Sequence, residues 1–149
     1  IQPGGTSGAI INADQIDMNL DIDSVSASGG RLGCGTILVI DDRNCIVDIV
    51  LNNLDFFRGE SCGKCTPCRE GGQQLYNLVN RIAQGHGAIQ DLEKIDELTE
   101  TMQLTALCGL GHSTAVPVRT SIQNLPNAYL HHIDKDFCPV CSGKGGIYR

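Results

Sequence analysis

Apolar positions come in short bursts through the first fifty residues and then settle into a helical period. Ala9-Ile10-Ile11 is a small apolar run bounded by glycine and Asn12, and Asp21-Ile22-Asp23 alternates. Thr36-Ile37-Leu38-Val39-Ile40 is a β-branched run between Gly35 and Asp41-Asp42. Glycine flanks and β-branched content predict short strands for these segments. Cys45-Ile46-Val47-Asp48-Ile49-Val50 is a further run of this kind. It serves equally well as the start of a helix continuing through Leu51, Leu54 and Phe57, because period alone does not separate the two.

Beyond Gly59 the pattern is helical. Leu75, Leu78, Val79 and Ile82 fall at i, i+3, i+4 and i+7, one face of a helix that Gly85 and Gly87 end. A second stripe, Ile89, Leu92, Ile95, Leu98 and Met102, has Asp91, Glu93, Lys94, Asp96, Glu97 and Glu100 on its expected solvent side. Asp91 and Lys94 stand at i, i+3, a spacing of slight helix support. A third helix is expected to start at the capping residues Ser113-Thr114, with Pro117 early in it and Ala115, Val118, Ile122 and Leu125 inward. Pro126 restarts a short helix through Tyr129 and Leu130. The class is therefore α+β: short strands first, then an antiparallel helical bundle. The glycine-rich tail Ser142 to Arg149 reads as mobile.

The chain has 149 residues, enough for one domain or two small ones. Its 17 acidic residues against 11 Lys and Arg give a net charge of −6, which argues against a nucleic-acid partner. No apolar run nears the roughly 20 residues of a membrane span. The start at Ile1, with no charged segment leading into an apolar one, predicts no signal peptide and suggests a piece of a longer polypeptide.

Eight cysteines carry the chemistry: Cys34, Cys45, Cys62, Cys65, Cys68, Cys108, Cys138 and Cys141. Cys62, Cys65 and Cys68 lie too close together to brace distant parts of a fold, so disulfides are not expected and a reducing, cytoplasmic setting is. Thiolates at every third residue can wrap three corners of an iron–sulfur cube, with Cys108 as the fourth ligand. Gly63 lets the backbone pass close to such a centre, and Lys64 and Arg69 offset its charge. A structural zinc site with four cysteines is the alternative, although zinc sites favour two paired knuckles.

The run Glu60-Ser61-Cys62-Gly63-Lys64-Cys65-Thr66-Pro67-Cys68-Arg69-Glu70-Gly71, followed by Leu107-Cys108-Gly109-Leu110-Gly111, resembles the C-terminal part of the family of NADH-binding flavoprotein subunits of complex I. The homologous subunits of NAD(P)-linked hydrogenases and formate dehydrogenases share it. Gly4-Gly5-Thr6-Ser7-Gly8 and Leu32-Gly33-Cys34-Gly35-Thr36 resemble that family's soluble-ligand-binding β-grasp domain, and Asp41-Asp42 with Cys45-Ile46-Val47-Asp48 lean toward the electron-bifurcating or NADP-reducing hydrogenase branch. The resemblance implies a β-grasp domain over 1–52, an iron–sulfur helical bundle over 53–133 and a tail over 134–149. It implies that Cys62, Cys65, Cys68 and Cys108 ligate a [4Fe-4S] cluster exchanging electrons with FMN. The expected function is that of an electron-transfer module in a flavin- and NAD(P)H-dependent oxidoreductase complex. The FMN and NAD(P) sites would lie in an upstream domain that this sequence lacks. Implied partners are other iron–sulfur subunits, including a thioredoxin-like [2Fe-2S] subunit, and a hydrogenase or dehydrogenase catalytic subunit. A non-redox, metal-stabilised binding or assembly module is the rival reading. No catalytic arrangement can be argued from spacing.

Cys138-Pro139-Val140-Cys141 is a knuckle with His131 and His132 just upstream. A cysteine pair with a histidine and one more thiolate makes a Cys3His zinc site. The resemblance implies a zinc joint of Cys45, His132, Cys138 and Cys141, with His132 preferred over His131 because it precedes Ile133, as in related tails. Exposed thiols or a truncated cluster motif are the alternatives. Cys34 is expected to be a small buried residue, His86 a solvated loop residue, and His112 a helix-start residue or a hydrogen-bonding neighbour of the cluster.

Overall fold

The computed structural model describes residues 1–134 and 138–141. A two-stranded antiparallel ribbon joins β1 (Gln2–Pro3) to β2 (Ile37–Leu38), with Gln2 opposite Leu38 and Pro3 opposite Ile37. The helices are α1 (Ile22–Ala27), α2 (Ile46–Glu60), α3 (Thr66–Ala83), α4 (Ile89–Thr105), α5 (Gly109–Asn124) and α6 (Pro126–Asp134). The described chain is thus mostly helical, and the expected β-grasp domain is represented in it only by this small ribbon. The mobile tail expected from Ser142 onward lies outside the described residues.

Each departure from the expected strands has a local cause. The ambiguous run after Cys45 is helical because Val47, Val50, Leu51, Leu54 and Phe57 make one continuous buried face, which a strand's alternation would split between two sides. Asp21-Ile22-Asp23 opens α1, since the Asp21 carboxylate accepts from the Ser24 N–H at 2.7 Å as an N-cap. Ala9-Ile10-Ile11 is buried but belongs to no strand. The polar groups of Ile10 are met by side chains of α5, with Thr120 Oγ1 accepting from Ile10 N at 2.9 Å and Asn124 donating to Ile10 O at 2.7 Å, while Ile11 N donates to Ile1 O at 2.9 Å. Cys34 is exposed rather than buried.

The bundle core is built by Leu54, Leu75, Val79, Ile82, Ile95, Met102, Val118 and Tyr129, all without solvent exposure. Each such side chain contributes about 1.5–3 kcal/mol, which is what holds the strongly charged α4 in place. Asp91, expected on the wet side of α4, is fully buried. Its carboxylate accepts from Ala88 N at 2.9 Å, capping α4, and pairs with the Arg81 guanidinium at the end of α3. Burial opposes its ionisation, but Arg81, the Ala88 N–H and Lys94 outweigh burial and hold the carboxyl below the usual range.

The third helix starts earlier than Ser113. Cys108 is the N-cap and Gly109 the first residue of α5. Thr114 turns its hydroxyl back to Leu110 O at 2.9 Å instead of capping, and Pro117 lies buried in the helix interior. This early start puts a predicted ligand at a helix N-terminus.

Candidate metal centres

The first candidate centre lies where α2 ends and α3 and α5 begin. Ser61 is the C-cap of α2, Cys65 the N-cap of α3 with Pro67 in its first turn, and Cys108 the N-cap of α5. Two helix N-termini, each with unmet N–H groups, therefore open on the cysteine loops, and such ends favour negative charge. Cys68 is buried, Cys65 is half-buried, and Cys62 and Cys108 are exposed. The two distant segments meet here. The Leu107 N–H reaches the Cys65 sulfur and, with the Cys68 N–H and the Arg69 charge, lowers its pKa from the ordinary thiol value.

The bracing around these loops is specific. Gly63 has φ +72°, and a Cβ there would find only Arg69 Cδ at 3.9 Å, so the backbone conformation and not space requires glycine. Arg69 donates to Gly63 O at 2.6 Å and, strapped this way, holds the Cys62–Cys65 loop onto α3. Lys64 is exposed. His112 donates from Nε2 to Ala106 O at 2.7 Å and so fixes the turn that carries Cys108. Gly111 lets α5 approach α3: a Cβ there would stand 3.2 Å from Cys68 Cβ and 2.6 Å from Ala106 Cβ. Thiols on two adjoining loops beside two helix N-termini suit a thiolate-ligated anionic cluster.

The second candidate centre joins the chain's two halves. Cys45, His132, Cys138 and Cys141 place their donor atoms within 4.8 Å of one another. Among the described residues this is the one group gathered tightly enough for a single ion. Cys45 Sγ stands 3.3 Å from His132 Nε2 and 3.8 Å from Cys138 Sγ. Two thiolates on a tetrahedral metal ion with bonds of about 2.3 Å would stand about 3.8 Å apart, the separation of Cys45 and Cys138. Burial pushes the Cys45 thiol up to about 11 despite a hydrogen bond from the Asp48 N–H, and burial also raises Cys141. Sequence reasoning missed Asp48, whose Oδ2 lies 3.9 Å from Cys141 Sγ. Its place in the first turn of α2, three residues after Cys45, could have signalled it.

The remaining candidates stay apart. Cys34 sits 3.1 Å from Thr36 Oγ1, and the Thr36 hydroxyl and N–H lower its pKa. His86 is exposed. His131 lines a cleft beside Cys138 and does not join the four-donor group. None of the eight cysteines is in a disulfide, and no helix among the described residues is long and apolar enough to cross a membrane.

A helical bundle presenting thiols from two helix starts is the frame of an iron–sulfur region, and residues 48–132 match the NADH-ubiquinone oxidoreductase-F iron–sulfur binding region. The chain belongs to this family, the 4Fe-4S region of the NADH-binding subunits found in complex I and NAD(P)-reducing hydrogenases. It is 38% identical over 144 residues to the NADP-reducing hydrogenase subunit HndC of Solidesulfovibrio fructosivorans, covering 95% of this chain and 29% of that protein. It is 36% identical over 137 residues to an NADH-quinone oxidoreductase subunit of Rhizobium meliloti, covering 92% and 32%. A crystal structure of an NAD+-reducing [NiFe]-hydrogenase in the H2-reduced state superposes with a TM-score of 0.79 at 32% identity, over 90% of this chain and 22% of that one. The chain thus spans about three tenths of the curated relatives it matches. The matched region contains Cys62, Cys65, Cys68, Cys108 and His132 but neither Cys45 nor the Cys138–Cys141 knuckle.

Proposed function

We propose that this chain passes single electrons through a [4Fe-4S] cluster held by Cys62, Cys65, Cys68 and Cys108, inside a flavin- and NAD(P)H-dependent oxidoreductase of the hydrogenase type. The observation that carries the reading is the close approach of α5 to Cys68, where a Cβ on Gly111 would stand 3.7 Å from Cys68 Sγ, which brings the helix start at Cys108 to the Cys62–Cys68 loop. Bound there, the cluster supplies reversible one-electron chemistry. The residues hold and bias it. Leu107 N–H and the α3 N-terminus meet the Cys65 thiolate, Arg69 holds the loop and adds positive charge, and His112 fixes the Cys108 turn. FMN and NAD(P) sites fall to an upstream domain, and residues 1–52 to part of a β-grasp domain. A thioredoxin-like [2Fe-2S] subunit, other iron–sulfur subunits and a hydrogenase or dehydrogenase catalytic subunit complete the assembly, in the cytoplasm.

Anaerobically purified protein should be brown, carry about four irons per chain in this centre and bleach with dithionite. Cys108→Ala should lose the cluster or leave a three-iron form. A reduced-state EPR signal unchanged by that substitution refutes the ligand set, and a colourless, iron-free protein would favour a non-redox binding module.

The same reading assigns zinc to Cys45, His132, Cys138 and Cys141, supported by their mutual spacing and by their burial. Its work is structural, pinning the knuckle to the start of α2. All four positions are filled by protein side chains, which leaves no open coordination site for substrate.

A further inference from the structure

We propose that Ser61 is a positioning residue for the iron–sulfur centre, donating its hydroxyl proton to the Cys68 sulfur and so raising the centre's reduction potential. The inference rests on the four-cysteine reading above. Ser61 Oγ stands 3.4 Å from Cys68 Sγ. A second contact holds the hydroxyl oxygen in place: the Gly63 N–H donates to the same Ser61 Oγ at 3.3 Å. The direction of the Ser61–Cys68 bond follows from ligation, with the hydroxyl supplying the one proton between them. A ligating thiolate has no proton of its own and can only accept.

The geometry is held from both sides. Ser61 is the C-cap of α2, and its N–H is bonded to Arg58 O at 3.4 Å. Gly63 takes the positive φ that turns its N–H back toward Ser61, and Arg69 pins the Gly63 carbonyl. Cys68 lies in the first turn of α3 and is the buried member of the four cysteines, so its sulfur has the least access to water as an alternative donor. A hydrogen bond to a cluster sulfur stabilises the more negative, reduced state, and bonds of this kind are among the levers that set potential. No bond is made or broken in this role.

The test uses the full chain in its native assembly, loaded with iron. Potentiometric titration followed by EPR reads the midpoint potential for the parent, Ser61→Ala, Ser61→Gly and Ser61→Thr, with iron per chain measured alongside. The expected result is a lower midpoint potential in the alanine and glycine chains at unchanged iron content, with the threonine chain returning to the parent value. Loss of iron from both deletions while Ser61→Thr stays loaded also supports the hydroxyl as the holding group. A loaded alanine or glycine chain with the parent's potential overturns the proposal. So does iron loss or an equal shift in all three variants, which would make Ser61 a packing residue. A parent chain that binds no iron instead overturns the cluster reading itself, so the two failures are distinct.

Discussion

Gly111→Ala tests whether the approach of α5 to α3 is what assembles the first centre. The added Cβ would stand 2.6 Å from Ala106 Cβ and 3.2 Å from Cys68 Cβ, with Cys68 Sγ at 3.7 Å. Neither Cβ can rotate away, because each is fixed to its own backbone. Replacing glycine by alanine in a helix gains up to about 1 kcal/mol in propensity. Overpacking costs about 1–3 kcal/mol, and two immovable neighbours place this site in the upper half of that range. The net is a loss of about 1–2 kcal/mol by these principles. Gly72→Ala is the internal control: it too is helical, and nothing lies within 4 Å of its Cβ. Relief of the Gly111 clash must move the Cys108 end of α5 away from Cys68. Urea unfolding monitored by helical circular dichroism, with iron analysis of the same samples, should show Gly111→Ala destabilised and iron-poor. Gly72→Ala should be as stable as the parent or more so, and fully loaded. A Gly111→Ala chain matching the Gly72→Ala chain in both readings would refute the close-approach argument.

Three further outcomes follow from the site geometry and the buried carboxylate. Asp91→Asn should cost about 1.5 kcal/mol at pH 7, the low end for a charged hydrogen bond because Arg81 is half exposed. Since the folded-state pKa of Asp91 is lowered, its contribution is present above the ordinary carboxyl pKa and fades as pH falls through the folded value. The gap between variant and parent in urea melts should therefore close below about pH 4, and a pH-independent gap would contradict the ion-pair account. Cys138→Ser should take zinc from about one per chain toward zero while iron stays constant, and coupled loss of both metals would show that the two centres are not separate. His112→Ala should release the Ala106–Cys108 turn and speed iron loss to a chelator severalfold, as measured by the decay of visible absorbance; an unchanged decay rate would remove His112 from the bracing.

The helical half was legible because its apolar spacing is carried by long side chains in long segments: Leu75, Val79 and Ile82 on α3, and Ile95 and Met102 on α4, sit in the core as their period implies. What the sequence misstated are short segments decided by one or two tertiary or capping bonds. Ile10 looks like a strand residue, but its backbone is met by Thr120 and Asn124, more than a hundred positions away. Ile22 follows a capping aspartate, which outweighs its alternating neighbours. Asp91 reads as a surface charge until Arg81 and the Ala88 N–H are seen to meet it. The cysteines were legible as chemistry through spacing alone. The contacts of Ser61 and Asp48 were not, since a single polar side chain carries no period and its partner is fixed only by the fold.

Cys45 and Cys138 are 93 positions apart and nearly touch. Closing a segment of that length in an unfolded chain carries an entropy cost of about 4 kcal/mol plus a constant. During synthesis the first thiol emerges ahead of the whole bundle and the last two arrive behind it, so a ribosome must nearly finish the described chain before an ion can find all its donors. An ion held there would therefore report that Cys45 and the knuckle had both been made and that the bundle between them had folded.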